Sequence, residues 1–412
     1  MKLNSKEIKL VFILVLFILI PIIIKDNKSL IYIYKDFLFK YKPINTKYNI
    51  CYESQRNINN LIKDDFQNWT ITVIDEKSNI INSVNSNHLK IPASNMKLIS
   101  TAYTLNKYGP FHRFKTLLLK EESNQYALIG EGDPDLTLKD VNTLLSFIPN
   151  NTNINLYIYE VNRSNWWPIG WNYSDKLYNY GSPITSIAIS SNENEYNPFS
   201  SNFTLSSIIV PELSKRNIKA NIKLIDRSFS NNISTNSMVI SLKYSMPLLS
   251  LLTLANAESH NFTSEVIFRN ATNSWNDLTY RSLLSNWMKT LNISKSELKI
   301  YDASGLSRKN RISSKALALF LNRMKLNKYY PYYKSSLSIA GLRGTLSNSF
   351  LSQDITNNFY GKTGTLSDVF SLSGYLEKNN NIYSVSIISN NSQNSKYKAF
   401  MILNYILSSR KC

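Results

Sequence analysis

The stretch Pro92-Ala93-Ser94-Asn95-Met96-Lys97-Leu98 limits this chain more than any other. It sets a serine and a lysine three positions apart at the start of an apolar, helix-patterned segment that runs to about Tyr108. Side chains at i and i+3 of a helix share a face, so Lys97 reaches the Ser94 hydroxyl. Pro92 suits a first helical turn and leaves Ser94 near the helix N-terminus. A hydroxyl with an amine beside it is the beginning of a nucleophile, because serine needs a base to take its proton. In a chain rich in Ser and Lys the same spacing also arises on solvated helix faces, so its meaning depends on what accompanies it.

The length of 412 residues, 43% of them hydrophobic, supports two domains or one domain with a large insertion. Lys and Arg (47) outnumber Asp and Glu (28), a net charge of +19 that favours polyanions such as an anionic membrane surface or a charged wall polymer. The lysines are scattered and interleaved with no nucleic-acid motif, so no nucleic-acid partner is expected. Three histidines (His88, His112, His260) and two cysteines (Cys51, Cys412) are too few for a metal cluster, and no metal or other cofactor is expected. A histidine-based triad is poorly supplied for the same reason. Cys51 and Cys412 can pair in an exported protein; two unrelated thiols are the alternative.

The N-terminus points to export. Lys2, Lys6 and Lys9 precede an apolar run from Leu10 to Ile24, and Lys25-Asp26-Asn27-Lys28 follows it. As a helix the run spans about 22 Å against a hydrocarbon core of about 30 Å, the size of a signal h-region or a thin anchor. No small-x-small cleavage site follows, and Leu30 to Phe39 carries aromatic residues of the membrane-interface kind. Residues 1–45 are therefore expected to be an uncleaved signal anchor and membrane-proximal segment, with a removed peptide as the alternative. The body of the protein is then periplasmic or otherwise extracytoplasmic, tethered to the cytoplasmic membrane.

Alternating strands are expected at Trp69 to Asp75, Asn79 to Val84, Phe114 to Leu119, Tyr126 to Ile129 and Asn155 to Val161, with shorter ones at Ile222 to Leu224, Met238 to Leu242 and Leu298 to Tyr301. Helical patterns cover Tyr48 to Phe66, Leu205 to Arg216 with Pro211 as a kink, Pro247 to Ala257, Phe262 to Ala271, Trp275 to Leu291 and Ser313 to Met324. Three strands from Phe359 to Ser389 and an amphipathic helix from Lys396 to Leu407 close the chain as an α+β piece.

Three elements stand out along this order: Ser94-x-x-Lys97 opening a helix, Ser259-x-Asn261 at a helix junction, and Lys362-Thr363-Gly364 on a strand. Together they are the signature of penicillin-recognising serine enzymes. Neighbouring residues add to it: Gly130-x-Gly132-Asp133-Pro134, Gly170-Trp171 with Asp175, Tyr180 and Gly181, Glu265, Asp302-x-Ser304-Gly305-Leu306-Ser307-Arg308, and Gly344-Thr345-Leu346. From about Trp69 to Ser389 the chain resembles the D-alanyl-D-alanine carboxypeptidase/endopeptidase family, the low-molecular-mass class C penicillin-binding proteins of peptidase S13 type.

The resemblance implies an α+β fold. It has a serine transpeptidase/β-lactamase-like domain, with an antiparallel sheet flanked by helices and an all-helical part, and a mixed α/β insertion between the first two motifs. The expected division is 46–120 and 238–412 for the penicillin-binding domain and 121–237 for the insertion, which is short for the family. The resemblance further implies a D-Ala-D-Ala carboxypeptidase, with endopeptidase activity in addition, that trims peptidoglycan stem peptides through an acyl-enzyme on Ser94 and is covalently inhibited by β-lactams. Lys97 is the expected base, its pKa lowered by burial and by Lys362 as a second cation. Ser259 relays a proton to the leaving D-alanine, and Asn261 holds the substrate peptide. Lys362, Thr363 and Thr365 hold the terminal carboxylate, while Gly364 lets the substrate lie along the strand. Asp175, with Tyr180, is assigned to a diaminopimelate amine; a surface carboxylate in an aromatic loop is the alternative. His260 departs from the family pattern and is read as an inert exposed histidine, with a pH dependence near neutrality as the alternative. Two other functions remain open, a β-lactamase and an inactive wall-binding protein on the same scaffold.

Overall fold

In the computed structural model the described residues are 28–42, 46–193, 205–228, 237–348 and 352–409; the apolar run Leu10 to Ile24 lies outside them. The main sheet has six strands, all antiparallel. In spatial order they are Ser338–Ile339, Phe359–Leu366, Val369–Lys378, Asn381–Asn390, Trp69–Ile74 and Ile80–Val84. N- and C-terminal parts of the chain thus meet at the pairing of Trp69–Ile74 with Asn381–Asn390.

The alternation in Trp69–Ile74 is not that of a half-wet strand, for all six of its residues are buried. Its apolar face, Trp69, Ile71 and Val73, packs with the C-terminal helix Ser395–Ser408 and with Ile58 and Ile62. Thr70 and Thr72 on the other face each lie 2.8 Å from the Ser314 hydroxyl, at the start of the helix Ser314–Met324. Short polar side chains that bond one another let a helix sit on this face without leaving buried polar groups unpaired.

The helical part comprises Met96–Tyr108, Leu248–Asn256, Asn261–Ala271 and Asp277–Thr290. Their apolar faces share one core with Leu317 and Phe320. Phe39, on the helix Lys28–Tyr41, belongs to this core and packs against Trp287 at 6.3 Å between ring centroids. This aromatic, read from sequence as a membrane-interface residue, is therefore 1% exposed inside the protein body. Among the described residues no helix is long and apolar enough to cross a membrane.

A second sheet occupies the stretch between the first two motifs. Its order is Lys219–Asp226, Asn153–Glu160, Gln125–Gly130, Lys115–Glu122 and Met238–Tyr244, the first three parallel and the others antiparallel. It reaches beyond the expected 121–237 on both sides, because Lys115–Glu122 and Met238–Tyr244 pair with each other. The helices Leu138–Leu145 and Leu205–Ser214 cover one face. The first of these was not assigned from sequence, although Thr137 and Asp140 form a capping box that marks its start. The strand expected at Leu298 to Tyr301 is only Leu298–Lys299, since the Asn310 side chain receives the Tyr301 N–H and turns the chain away. Cys51 is disulfide-bonded, and Cys412 lies outside the described residues.

Phe39→Ala is expected to lower unfolding stability by about 3 kcal/mol in urea titration, the cost of emptying an aromatic core position. A residue held only by lipid would leave the soluble fold unchanged.

Candidate active site

Ser94 lies in a short 3-10 turn, Ala93–Asn95, that feeds the helix Met96–Tyr108. Two glycines allow the rest of the site to close on this turn. A Cβ on Gly305 would come within 1.9 Å of the Ala93 carbonyl, and one on Gly364 within 2.9 Å of the Ser94 nitrogen. The turn is also tied from behind, where Asn95 Nδ2 donates to Ser371 Oγ (2.5 Å) and Ser371 Oγ donates to the Pro92 carbonyl (2.6 Å).

Lys97 is fully buried, with its Nζ 3.0 Å from Ser94 Oγ, 2.6 Å from Asn261 Oδ1 and 2.7 Å from the Ser304 carbonyl. Burial brings its pKa down to about 7, against the opposing pull of Asp302 and Glu265. A neutral amine has two N–H donors and one lone pair. Asn261 Oδ1 and the Ser304 carbonyl are acceptors only, so they take the donors and leave the lone pair for the Ser94 hydroxyl. This is the arrangement of a base beside a nucleophile.

The expected part played by Lys362 needs correction. Burial, not a second cation, is what lowers Lys97. Lys362 is itself fully buried, and burial first, then repulsion from Lys97, holds it well below the usual amine range, with Glu258 opposing. Its Nζ donates to the Thr363 carbonyl at 2.7 Å.

Ser259 and Asn261 flank a bend between Leu248–Asn256 and Asn261–Ala271, and Ser259 takes a left-handed conformation, φ +67°. Besides accepting from Lys97, Asn261 donates through Nδ2 to the Tyr180 carbonyl at 2.9 Å. That bond attaches the loop carrying Asp175 and Tyr180 to the catalytic side. The Tyr180 ring is exposed and stacks on Tyr178 at 5.3 Å; partial burial, then the Asp175 carboxylate, raises its phenol pKa. His260 is not an inert exposed residue, because Nε2 lies 2.5 Å from Glu193 Oε1 and Nδ1 2.6 Å from Thr263 Oγ1.

The strand Phe359–Leu366 carries Lys362, Thr363, Gly364 and Thr365. Its outer neighbour, Ser338–Ile339, pairs only with Gly361 and Tyr360, so from Lys362 onward that edge has no strand beside it among the described residues. Thr363 Oγ1 donates to Thr345 Oγ1 at 2.7 Å, and the Thr345 N–H donates to the Ala257 carbonyl at 3.0 Å. The Gly344-Thr345-Leu346 turn thereby joins the strand to the bend at Ser259. Thr365 is exposed on the same edge.

Two buried carboxyls shape the wall behind Lys97. Asp302 accepts from Trp171 Nε1 (2.9 Å), Asn310 Nδ2 (2.7 Å) and the backbone N–H groups of Gly305 (2.8 Å) and Ser307 (2.6 Å), curling the loop that aims the Ser304 carbonyl. Glu265 Oε1 accepts the N–H groups of Ala303 (2.9 Å) and Ser304 (2.8 Å), while Oε2 has no hydrogen-bond partner among the described residues. Burial, then the Asp302 charge, raises Glu265 to about 8, so it is mostly neutral at pH 7. Its role was not read from the sequence; the signal was its position one helical turn after Asn261, on the same face.

Residues 54–202 and 202–404 match the model of the D-Ala-D-Ala carboxypeptidase 3 (S13) family. A penicillin-sensitive carboxypeptidase A of Dictyostelium discoideum is 34% identical over 151 residues; the match covers 34% of this chain and only 29% of that relative. Among solved structures, penicillin binding protein 4 of Haemophilus influenzae is similar with a TM-score of 0.69 and 18% identity, over 85% of this chain and 98% of that one. A penicillin G-acylated predatory endopeptidase of Bdellovibrio bacteriovorus, in complex with an immunity protein, gives 0.52 and 15% over 81% and 92%. At these identities the structural likenesses show the fold.

Two variants test the geometry through acylation of Ser94 by a fluorescent penicillin. Gly364→Ala is expected to slow it by about 100-fold, because the new methyl forces the strand away from Ser94 by the order of an ångström. Glu265→Gln is expected to stay within about threefold of the parent at pH 7, since an amide keeps the acceptor and replaces a neutral acid. Glu265→Ala leaves two buried N–H groups unpaired and is expected to lose about 30-fold or more.

Proposed function

This chain belongs to the D-Ala-D-Ala carboxypeptidase 3 (S13) family, and on that premise we propose that it is a serine-type D-Ala-D-Ala carboxypeptidase, with endopeptidase activity in addition, acting on peptidoglycan stem peptides. The observation that carries this reading is the Lys97 amine, 3.0 Å from Ser94 Oγ and brought by burial to a pKa of about 7.

Neutral Lys97 takes the Ser94 proton as Oγ attacks the carbonyl of the penultimate D-alanine. The oxyanion lies between the backbone N–H groups of Ser94 and Thr365, at the start of the helix Met96–Tyr108. The leaving D-alanine amine collects a proton relayed by Ser259, and water then releases the acyl group. Lys362, Thr363 and Thr365 receive the terminal carboxylate. A carboxylate arriving beside Lys362 raises its pKa and restores its charge, so the cation forms when the substrate is seated. The unpaired edge from Lys362 to Thr365 accepts the peptide backbone as an added strand. Asn261 holds the same peptide while keeping its bond to Lys97, and Asp175 with Tyr180 meets the diaminopimelate amine. β-Lactams acylate Ser94 by the same attack. The apolar run Leu10 to Ile24 tethers this activity outside the cytoplasmic membrane.

Release of D-alanine from a muropeptide pentapeptide, followed by mass spectrometry, is expected for the full chain and lost in Ser94→Ala and Lys97→Ala. Undiminished release in either variant overturns the mechanism. Because the base must be neutral, kcat/KM for this release is expected to rise with pH through a limb near 7 and to fall below it, as protonation fills the lone pair.

A further inference from the structure

One loop grips the Ser259-x-Asn261 motif at two neighbouring residues. It comprises residues 180–193, within the stretch between the first two motifs. At its start the Tyr180 carbonyl accepts from Asn261 Nδ2 at 2.9 Å. At its end Glu193 Oε1 lies 2.5 Å from Nε2 of His260, the residue between Ser259 and Asn261. The loop is closed on itself, because Ser182 Oγ donates to the Ser191 carbonyl at 2.9 Å and Asn192 Nδ2 donates to the Pro183 carbonyl (2.9 Å) and to Thr185 Oγ1 (2.7 Å). Ser191 Oγ fastens it to the Pro134 carbonyl at 2.8 Å.

The backbone that aims Glu193 is strained. Ser190, Ser191 and Asn192, just before it, are all left-handed, at φ +48°, +55° and +58°. A residue with a Cβ adopts this conformation at a cost, and it persists only where surrounding bonds impose it. The hydroxyl and amide bonds of Ser191 and Asn192 impose it here. Ser259, on the other side of the contact, is left-handed as well. Two strained segments therefore meet through His260 and Glu193.

The partners of the ring fix its chemistry. A carboxylate only accepts, so Nε2 carries a proton; Nδ1 is then a bare acceptor and takes the hydroxyl proton of Thr263, at 2.6 Å. An uncharged imidazole thus satisfies both neighbours. Thr263 is fully buried in the first turn of the helix Asn261–Ala271, so the ring is pinned between the start of that helix and the loop.

We propose that His260 and Glu193 are a positioning pair, through which the loop 180–193 holds Ser259 and Asn261 in register with Ser94 and Lys97. A fixed ring fixes the peptides on either side of it, and with them the Ser259 hydroxyl and the Asn261 Oδ1 that accepts from Lys97 at 2.6 Å. The catalytic meaning of that register rests on the function proposed above; the tie between loop and bend does not.

Two measurements on the full chain test this. The chain has three histidines, few enough for the His260 ring nitrogens to be assigned by ¹⁵N NMR. At about pH 8, above the usual imidazole range, the Nε2–H tautomer is expected, with a ring proton shifted downfield by Glu193 and lost to exchange with water in Glu193→Ala. Acylation by a fluorescent penicillin then separates the maximal rate at Ser94 from the affinity that precedes it. Glu193→Ala is expected to lower the maximal rate about tenfold, the scale of a displacement below an ångström, with affinity within about twofold because the strand Phe359–Leu366 is untouched. Glu193→Gln keeps an oxygen for the Nε2 proton and is expected to restore most of the rate. His260→Ala leaves buried Thr263 without this partner and can perturb folding. The Glu193 side chain is 32% exposed, so its variants decide. An unchanged maximal rate in Glu193→Ala, an equal loss in Glu193→Gln, a loss confined to affinity, or an Nδ1–H ring overturns the proposal. A parent chain that shows the Nε2–H signal but takes no penicillin keeps the tie between loop and bend and removes the peptidase reading instead.

Discussion

Everything around Ser94 depends on placing an amine in the protein interior without a counter-ion in contact. Charged Lys97 would carry a large desolvation cost, and the nearby carboxyls offset only part of it, so its pKa falls to about 7. Neutral, the amine is satisfied by three partners from different parts of the chain: Ser94 on the turn that feeds its own helix, Asn261 on another helix, and the Ser304 carbonyl on a loop. Each partner needs its own support. Asn261 is oriented by the Tyr180 carbonyl, and the 303–304 peptide by Glu265. The Ser304 loop is wound about Asp302.

The same constraint explains the close approaches at the two glycines. A lysine with no water to solvate it must be enclosed, and enclosure brings the loop at Gly305 and the strand at Gly364 against the Ser94 turn, where a Cβ would collide with backbone. The strand edge from Lys362 to Thr365 then becomes the open side of an otherwise packed site. Lys362 lies beneath that edge, and burial, with Lys97 nearby, holds its pKa well below the usual amine range.

Much of this was legible in the primary structure. Helix spacing puts Ser94 and Lys97 on one face, their catalytic reading comes from Ser259-x-Asn261 and Lys362-Thr363-Gly364 farther along, and the strand bearing Lys362 follows from its place among the closing β-segments. What escaped has physical reasons. The low Lys97 pKa was expected from burial and from Lys362 together, and only burial lowers it; a second amine can be seen in a sequence, but not whether it acts on the first. His260 read as exposed since Glu193, its partner, is far away along the chain. Phe39 read as a membrane-interface residue because an aromatic in an N-terminal amphipathic segment looks alike whether it meets lipid or Trp287. The helix Leu138–Leu145 is only two turns long, too short for its period to stand out in the sequence in spite of its capping box.

By itself, then, the sequence determined which groups are chemically able to act: a hydroxyl, two amines, an amide and the local periods that put each on a helix or a strand. Those properties belong to residue type and short spacing, and they survive without knowledge of the fold. The tertiary structure alone decided their state. Whether an amine is a base or a cation, whether a carboxyl such as Glu265 is charged, and whether a histidine is paired depend on solvent exclusion and on neighbours contributed by distant segments. Both are set only when the sheets and helices close around Ser94.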